Sequence, residues 1–133
     1  MIKQQFTLYL ENKPGALAAV TKRLYDAGVN IEGISISETT DVGLVQMVVS
    51  NTAATKKALN KTRVPFTVQD VARLHIRNEP GALYQVVAKL AKKGVNINYV
   101  YSTGSDCGGD CLCYAIISAP NLKKVEEAWK SAN

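Results

Sequence analysis

Phe6, Leu8 and Leu10 alternate with Thr7, Tyr9 and Glu11, the period-two pattern of a half-buried strand. Pro14-Gly15 breaks the alternation, and Leu17, Val20, Leu24 and Ala27 then recur at spacings of three and four. That spacing predicts a helix with one apolar face, beginning near Pro14, where a missing amide proton costs nothing. Gly28 ends it, because a helix C-terminus commonly takes a left-handed residue and glycine adopts that conformation without strain. Ile31, Ile34 and Ile36 predict a second strand and Leu44 to Val49 a third, joined by a turn over residues 40–43. Thr52 to Lys61 reads as a second helix with Ala54, Ala58 and Leu59 inward, and Val64, Phe66 and Val68 alternate as a fourth strand.

The order is β-α-β-β-α-β, the ferredoxin-like split unit, with an antiparallel sheet and both helices on one face. It then starts again. Val71 to Ile76, a helix over 81–93 with Leu83, Val86, Val87 and Leu90 inward, Ile97 to Ser102, Leu112 to Ser118, and a helix from Leu122 to about Lys130 repeat the pattern. No counterpart of Val64 to Val68 follows, so the second repeat is expected to lack its last strand and to leave a sheet edge unpaired. The expected fold class is α+β, with one ferredoxin-like domain over 1–69 and a second over 70–133. Only Gln69 and Asp70 separate the two repeats, which leaves no flexible linker, and a homodimer is the expected cover for the open edge.

The repetition extends to individual side chains. Asn12, Pro14, Gly15, Ala16 and Leu17 return 66 residues later as Asn78, Pro80, Gly81, Ala82 and Leu83, and Gly28-Val29-Asn30-Ile31 returns as Gly94-Val95-Asn96-Ile97. Residues 12–31 and 78–97 share 11 identities in 20 positions, where average composition gives roughly one. Units of about 66 residues bury only about 60% of their chain surface and are marginal alone, so docking supplies further stability.

Composition excludes more than it assigns. With 20% charged and 47% hydrophobic residues, the chain is globular rather than disordered. No apolar run approaches the roughly 18 residues that span a bilayer, and the Met1–Phe6 segment alternates toward a strand without the features of a secretory leader; a cytoplasmic protein is expected. The net charge of +5 comes from lysines spread along the helices without a block of like charges, which reads as a solvated face rather than a nucleic-acid surface. Three cysteines within seven residues, Cys107, Cys111 and Cys113, form no disulfide framework and fit a reducing compartment. Phosphate-loop, zinc-protease and nucleophile-elbow motifs are missing, and one histidine, His75, offers no triad. A regulator without an active site or cofactor fits better than an enzyme.

The residues shared by the repeats are mostly of the kind that shape a backbone. Glycine at the first turn of a helix lets a ligand approach N–H groups that have no intrahelical partner and carry partial positive charge, which favours a small carboxylate. Asn12 and Asn78 end a strand, and Asn30 and Asn96 open the next; their amides donate and accept, which suits a zwitterion. The same residues equally serve as a plain turn, with Pro-Gly bending the chain and asparagine capping it.

A strand, Asn-x-Pro-Gly-Ala-Leu, a helix with Val and Leu inward, and then Gly-Val-Asn-Ile resembles the signature of the ACT domain, a small regulatory module that binds amino acids. The resemblance covers essentially the whole chain, once per repeat, except for the missing last strand; the segment Asn96-Ile97-Asn98-Tyr99-Val100-Tyr101-Ser102 is also similar to the corresponding strand of stand-alone tandem ACT proteins. It implies side-by-side association with an amino acid at the interface and its carboxylate against the turn. One site would use Asn12, Lys13, Pro14, Gly15, Ala16 and Leu17, and the other Asn78, Gly81, Ala82 and Leu83. Asn30 and Ile31, or Asn96 and Ile97, would come from the facing domain. A separate enzyme of amino-acid or related metabolism would be the regulated partner.

The two copies differ in charge. Glu11-Asn12-Lys13 becomes Arg77-Asn78-Glu79, so Lys13 would favour a carboxylate where Glu79 opposes it, and tighter binding is expected at Gly15 than at Gly81. Compensating surface pairs worth under about 1 kcal/mol are the alternative. Two rival functions are a metal or redox sensor built on Cys107, Cys111 and Cys113, with Asp110 as a further ligand, and an RNA-binding module stacking bases on Tyr99, Tyr101 and Tyr114.

Overall fold

The predicted segments become ten elements, in the order β1 (Ile2–Glu11), α1 (Ala16–Asp26), β2 (Ile31–Glu38), β3 (Val42–Val49), α2 (Thr52–Asn60), β4 (Phe66–Arg77), α3 (Ala82–Lys92), β5 (Tyr99–Ser102), β6 (Leu112–Ser118) and α4 (Leu122–Lys130), among the described residues. The structure is a computed structural model that describes residues 1–39, 41–103 and 112–130. Two compact units divide the chain, Gln4–Gln69 and a second made of Met1–Lys3 with Asp70–Asn133.

In the first unit the strand order is β2-β3-β1, with the first residues of β4 beyond β1. All pairings are antiparallel, with Phe6 opposite Met47, Leu8 opposite Val45 and Ile36 opposite Val45 in turn. Residues directly opposite share a face, so the alternation read at Phe6, Leu8 and Leu10 continues across Val45, Met47 and Val49. Val20 and Leu24 of α1 and Ala58 and Leu59 of α2 close over that face, with Val64, Phe66 and Val68 packed at its margin. Burying side chains such as Phe6, Leu24 and Leu59 contributes roughly 1.5–3 kcal/mol each.

The second unit repeats this with β4-β6-β5. Leu74 and Ile76 meet Ala115 and Cys113 across the ladder, and Val86, Leu90, Val125 and Ala128 cover them from α3 and α4. The strand edge expected to be open is met by the start of the chain: Arg73 donates its N–H to the Met1 carbonyl at 2.7 Å, and Met1 nitrogen donates to the Arg73 carbonyl at 2.9 Å.

Several boundaries shift for physical reasons. Pro14 does not open α1; Gly15 takes φ +87°, outside the helical region, so Pro14-Gly15 remains a turn and the helix begins at Ala16. Ala27 and Leu83, expected inward, are exposed, while Ala82 is buried in place of Leu83. Val64–Val68 and Val71–Ile76 are joined by the single 12-residue strand β4. The strand expected from Ile97 begins at Tyr99. Gly28 and Gly94 end their helices as expected, with the next residue, Val29 or Val95, donating back to Leu24 or Leu90. Part of the 40–43 turn lies outside the described residues. Among the described residues no helix is long and apolar enough to cross a membrane.

Candidate functional site

The end of β1 and the start of α1 are joined by a turn with two short backbone bonds, Lys13 N–H to the Glu11 carbonyl at 2.9 Å and Ala16 N–H to the Lys13 carbonyl at 3.4 Å. The second repeat forms the same closure, Ala82 N–H to the Glu79 carbonyl at 3.3 Å, with Gly81 at φ +89°. Left-handed glycine at this point directs the chain into the helix without offering a capping side chain. Neither α1 nor α3 has a side-chain N-cap, whereas Asn51 caps α2 and Asn121 accepts from Lys124 N–H at the start of α4. Ala16 N–H and Ala82 N–H close the turns, so in the two helices of the repeated motif the remaining first-turn donors are the ones without a side-chain cap.

A cavity opens beside each turn. In the first unit Asn12, Lys13, Ala16 and Leu17 form one wall, and Ile36, Gly43 and Val45 form the other, around about 180 Å³. In the second unit Asn78, Glu79, Ala82 and Leu83 face Ser102, Thr103 and Cys113, again around about 180 Å³. The lining residues correspond at the 66-residue offset, extended by two beyond the longer β5–β6 loop, so that Ile36 matches Ser102 and Val45 matches Cys113. Each space is smaller than the roughly 300–1,000 Å³ that accommodates drug-sized molecules and suits one small metabolite. Their walls differ in polarity, aliphatic in the first unit and hydroxyl- and thiol-bearing in the second.

Asn12 is oriented by Glu38 at the end of β2, donating from Nδ2 to Oε1 at 3.3 Å, and its own N–H reaches the Asp41 carbonyl at 3.3 Å. Lys13 Nζ lies 2.9 Å from Glu11 Oε2, both side chains largely exposed, so the pair is worth under about 1 kcal/mol. It leaves Lys13 able to turn to a ligand carboxylate.

The structure therefore brings together Asn12, Lys13, Ala16 and Leu17, and separately Asn78, Ala82 and Leu83. Pro14, Gly15 and Gly81 shape the turns without lining the cavities. Asn30 and Ile31 do not line the first cavity: Asn30 N–H donates to Ser50 Oγ at 2.9 Å, and Ile31 packs at the margin of the core. Asn96 and Ile97 are likewise outside the second, with Ile97 against its own core. Ile36, Gly43, Val45 and Ser102 are read from the sequence as strand or turn residues and not as site residues, and Thr103 and Glu38 enter the site from the structure alone. In the first unit their place follows from the β1–β3 pairing, whose register sets Gly43 opposite Leu10 and so beside the turn.

Cys107, Cys111 and Asp110 lie outside the described residues. Cys113 is 3% exposed within the second core. The aromatic groups proposed as base platforms are engaged by protein: Arg73 lies 4.4 Å from the Tyr114 ring centroid, His75 meets the same ring at 4.6 Å with the planes tilted by 53°, and Tyr99 and Tyr101 stack at 6.5 Å. Burial, and then the neighbouring Tyr99, pushes the Tyr101 hydroxyl well above its ordinary ionisation range.

A family model described as an ACT domain pair matches residues 1–125. The crystal structure of protein BT0572 from Bacteroides thetaiotaomicron is similar at 31% identity and a TM-score of 0.88, over 99% of this chain and 89% of that one. The ligand-free regulatory subunit of aspartate kinase from Thermus thermophilus shares the fold at 18% identity and a TM-score of 0.72, over 98% of this chain and 92% of that one. The corresponding subunit from Thermus flavus does so at 18% identity and 0.61, with the same coverage of 98% and 92%. No curated protein sequence matches the chain.

Proposed function

Because the chain belongs to the ACT domain pair family, we propose that it is a non-catalytic regulator whose strand-to-helix turns each receive a small amino acid. The observation that carries this reading is the pair of equivalent cavities of about 180 Å³, each beside a helix N-terminus without a side-chain cap. The ligand's carboxylate meets the first-turn N–H groups of α1 or α3, and the asparagine at the strand end takes its ammonium group through the side-chain oxygen. Lys13 strengthens carboxylate binding in the first site and Glu79 weakens it in the second. In the first, Ile36, Val45 and Leu17 favour an aliphatic side chain.

The acting form is a cytoplasmic homodimer, in which Asn30 and Ile31 or Asn96 and Ile97 of a facing domain complete the sites. Ligand binding favours one arrangement of the pair, and a separate enzyme of amino-acid or related metabolism responds to that arrangement. A regulator of this kind needs no catalytic group of its own, consistent with a sequence that offers none in a recognisable constellation.

A thermal-shift panel of the twenty amino acids, backed by calorimetry, tests the proposal. A ligand at 100 times its Kd adds about 2.7 kcal/mol to the folded state, a shift of several degrees. One selective hit, lost on Asn12→Ala, supports the reading. A flat panel, or a hit indifferent to both Asn12→Ala and Asn78→Ala, overturns it.

A further inference from the structure

On the other side of the first turn, between α1 and the segment leading into β4, lies a second and larger cavity of about 500 Å³. Lys13, Arg23, Lys61 and Arg63 line it, and Glu11 is the one acid among its lining residues. Glu11 is already paired with Lys13 at 2.9 Å, and Arg23, Lys61 and Arg63 form no ion pair among the described residues. Three uncompensated cations therefore surround one opening. The adjoining cleft between α1 and α2 shares Arg23 and Lys61 and adds Lys57 and Asp26, the acid being paired with Lys22 at 2.9 Å, so the positive field continues along the helices. Beneath the cations the lining is apolar, from the Tyr9 ring, Leu10, Val20, Val64 and Pro65.

The duplicated unit supplies an internal control. Its corresponding cavity, about 270 Å³, is lined by His75, Ile76, Arg77, Glu79, Ala82 and Trp129, among others. There Arg77 and Glu79 cancel. Lys89, at the position of Arg23, has its ammonium 4.5 Å from the Trp129 ring centroid. The common architecture does not require the cluster, since the second unit builds the same corner with Trp129 at the position of Lys61 and the ammonium of Lys89 over its ring.

We propose that the larger cavity is a second ligand site, distinct from the amino-acid cavities, that binds a small organic polyanion: a phosphorylated metabolite with an apolar or aromatic body. The guanidinium groups of Arg23 and Arg63 provide the planar forks that match phosphate oxygens, and the Lys61 ammonium supplies point charge. A volume of about 500 Å³ falls within the usual range for small-molecule sites, and the apolar floor with Tyr9 gives a body something to lie on. A single carboxylate would leave most of the charge unanswered.

The test is calorimetry on the full chain with adenosine triphosphate and inorganic pyrophosphate as probes, at low salt and at about 0.15 M ionic strength. Saturable binding of the nucleotide that persists at the higher salt is expected, with pyrophosphate weaker. Arg23→Gln with Arg63→Gln removes two charge-assisted contacts and weakens the nucleotide by about tenfold or more. Lys92→Gln with Lys93→Gln removes the same charge at the end of α3 and leaves binding within about twofold, the allowance for screened distant charges. All four positions are exposed; should the arginine double variant unfold, Lys61→Gln makes the same comparison. No saturable binding, equal weakening by both double variants, or pyrophosphate as tight as the nucleotide overturns the proposal.

Discussion

Gly15→Ala separates what the first turn does for folding from what it does for a ligand. Gly15 has φ +87° and Gly81 φ +89°, and a Cβ built on either meets nothing within 4 Å. The penalty for alanine is therefore conformational, roughly 1–2 kcal/mol for a residue held in the left-handed region. About 0.4–1 kcal/mol is offset by the reduced freedom of the unfolded chain, leaving a net loss near 1 kcal/mol and a fall in Tm of a few degrees. Gly43→Ala should behave oppositely. Gly43 lies in β3 without a left-handed φ, and its added methyl would stand 3.8 Å from the Leu10 carbonyl oxygen, an ordinary contact. Alanine in a strand interior gains roughly 0.5–1 kcal/mol over glycine. Yet that methyl projects beside the first cavity, which Gly43 lines, and takes room from the amino acid. Urea denaturation and calorimetry on the same samples should show Gly15→Ala less stable than the parent, and Gly43→Ala at least as stable but a weaker binder. Equal midpoints for the two variants would refute the strain assignment. Unchanged affinity in Gly43→Ala would refute the position given to the ligand.

Three further outcomes are expected. Asn12→Ala removes an exposed 3.3 Å bond to Glu38 and should change stability by less than about 1 kcal/mol while weakening the selected amino acid about tenfold, read by calorimetry against Glu38→Gln, which keeps an acceptor. The folded chain holds the Tyr101 proton more tightly than the unfolded chain does, because burial and then Tyr99 raise its pKa; this contribution is fully present below about pH 10, where both states are protonated, and is lost as pH rises above it. Tyr101→Phe should flatten that alkaline loss in denaturation curves, and an unchanged pH dependence would count against the assignment. Cys113, buried in the second core, should resist a thiol reagent until denaturant is added, which peptide mapping of the labelled chain can check; labelling in the native state would contradict that packing.

The elements were legible because their signals are local. Alternation marks Phe6 to Leu10, three-four spacing marks Val20 and Leu24, and the 66-residue repeat allows each reading to check the other. The joining of Val64–Val68 to Val71–Ile76 escaped because Gln69-Asp70 is polar but contains no glycine or proline, and polarity alone does not stop a strand. Leu83 was misassigned because it stands at the edge of the apolar stripe, where one residue's rotation decides exposure. Half of each cavity was legible for the same reason as the elements: Asn12, Lys13, Ala16 and Leu17 are contiguous in the motif. The other half depends on how β2 and β3 register against β1, and Ile36 and Val45 reach the turn only through that non-local pairing. Asn30 belongs to the repeated motif, yet within its own unit it fastens the start of β2, its carbonyl accepting the Ser50 N–H at 2.9 Å. A single sequence does not separate that structural duty from service in a facing domain.

The bonds between Met1 and Arg73 join residues 72 positions apart. During synthesis the first three residues emerge long before the unit to which they belong has been made, while Gln4–Gln69 has all its own strands as soon as it clears the ribosome. Folding is thereby ordered in time: the early unit forms from nearer partners, and the later one waits for a loop closure whose entropy grows with the length of chain between its ends. A cut between Gln69 and Asp70 would therefore leave Met1–Lys3 on the other fragment and take from Arg73 the backbone partners that Met1 supplies.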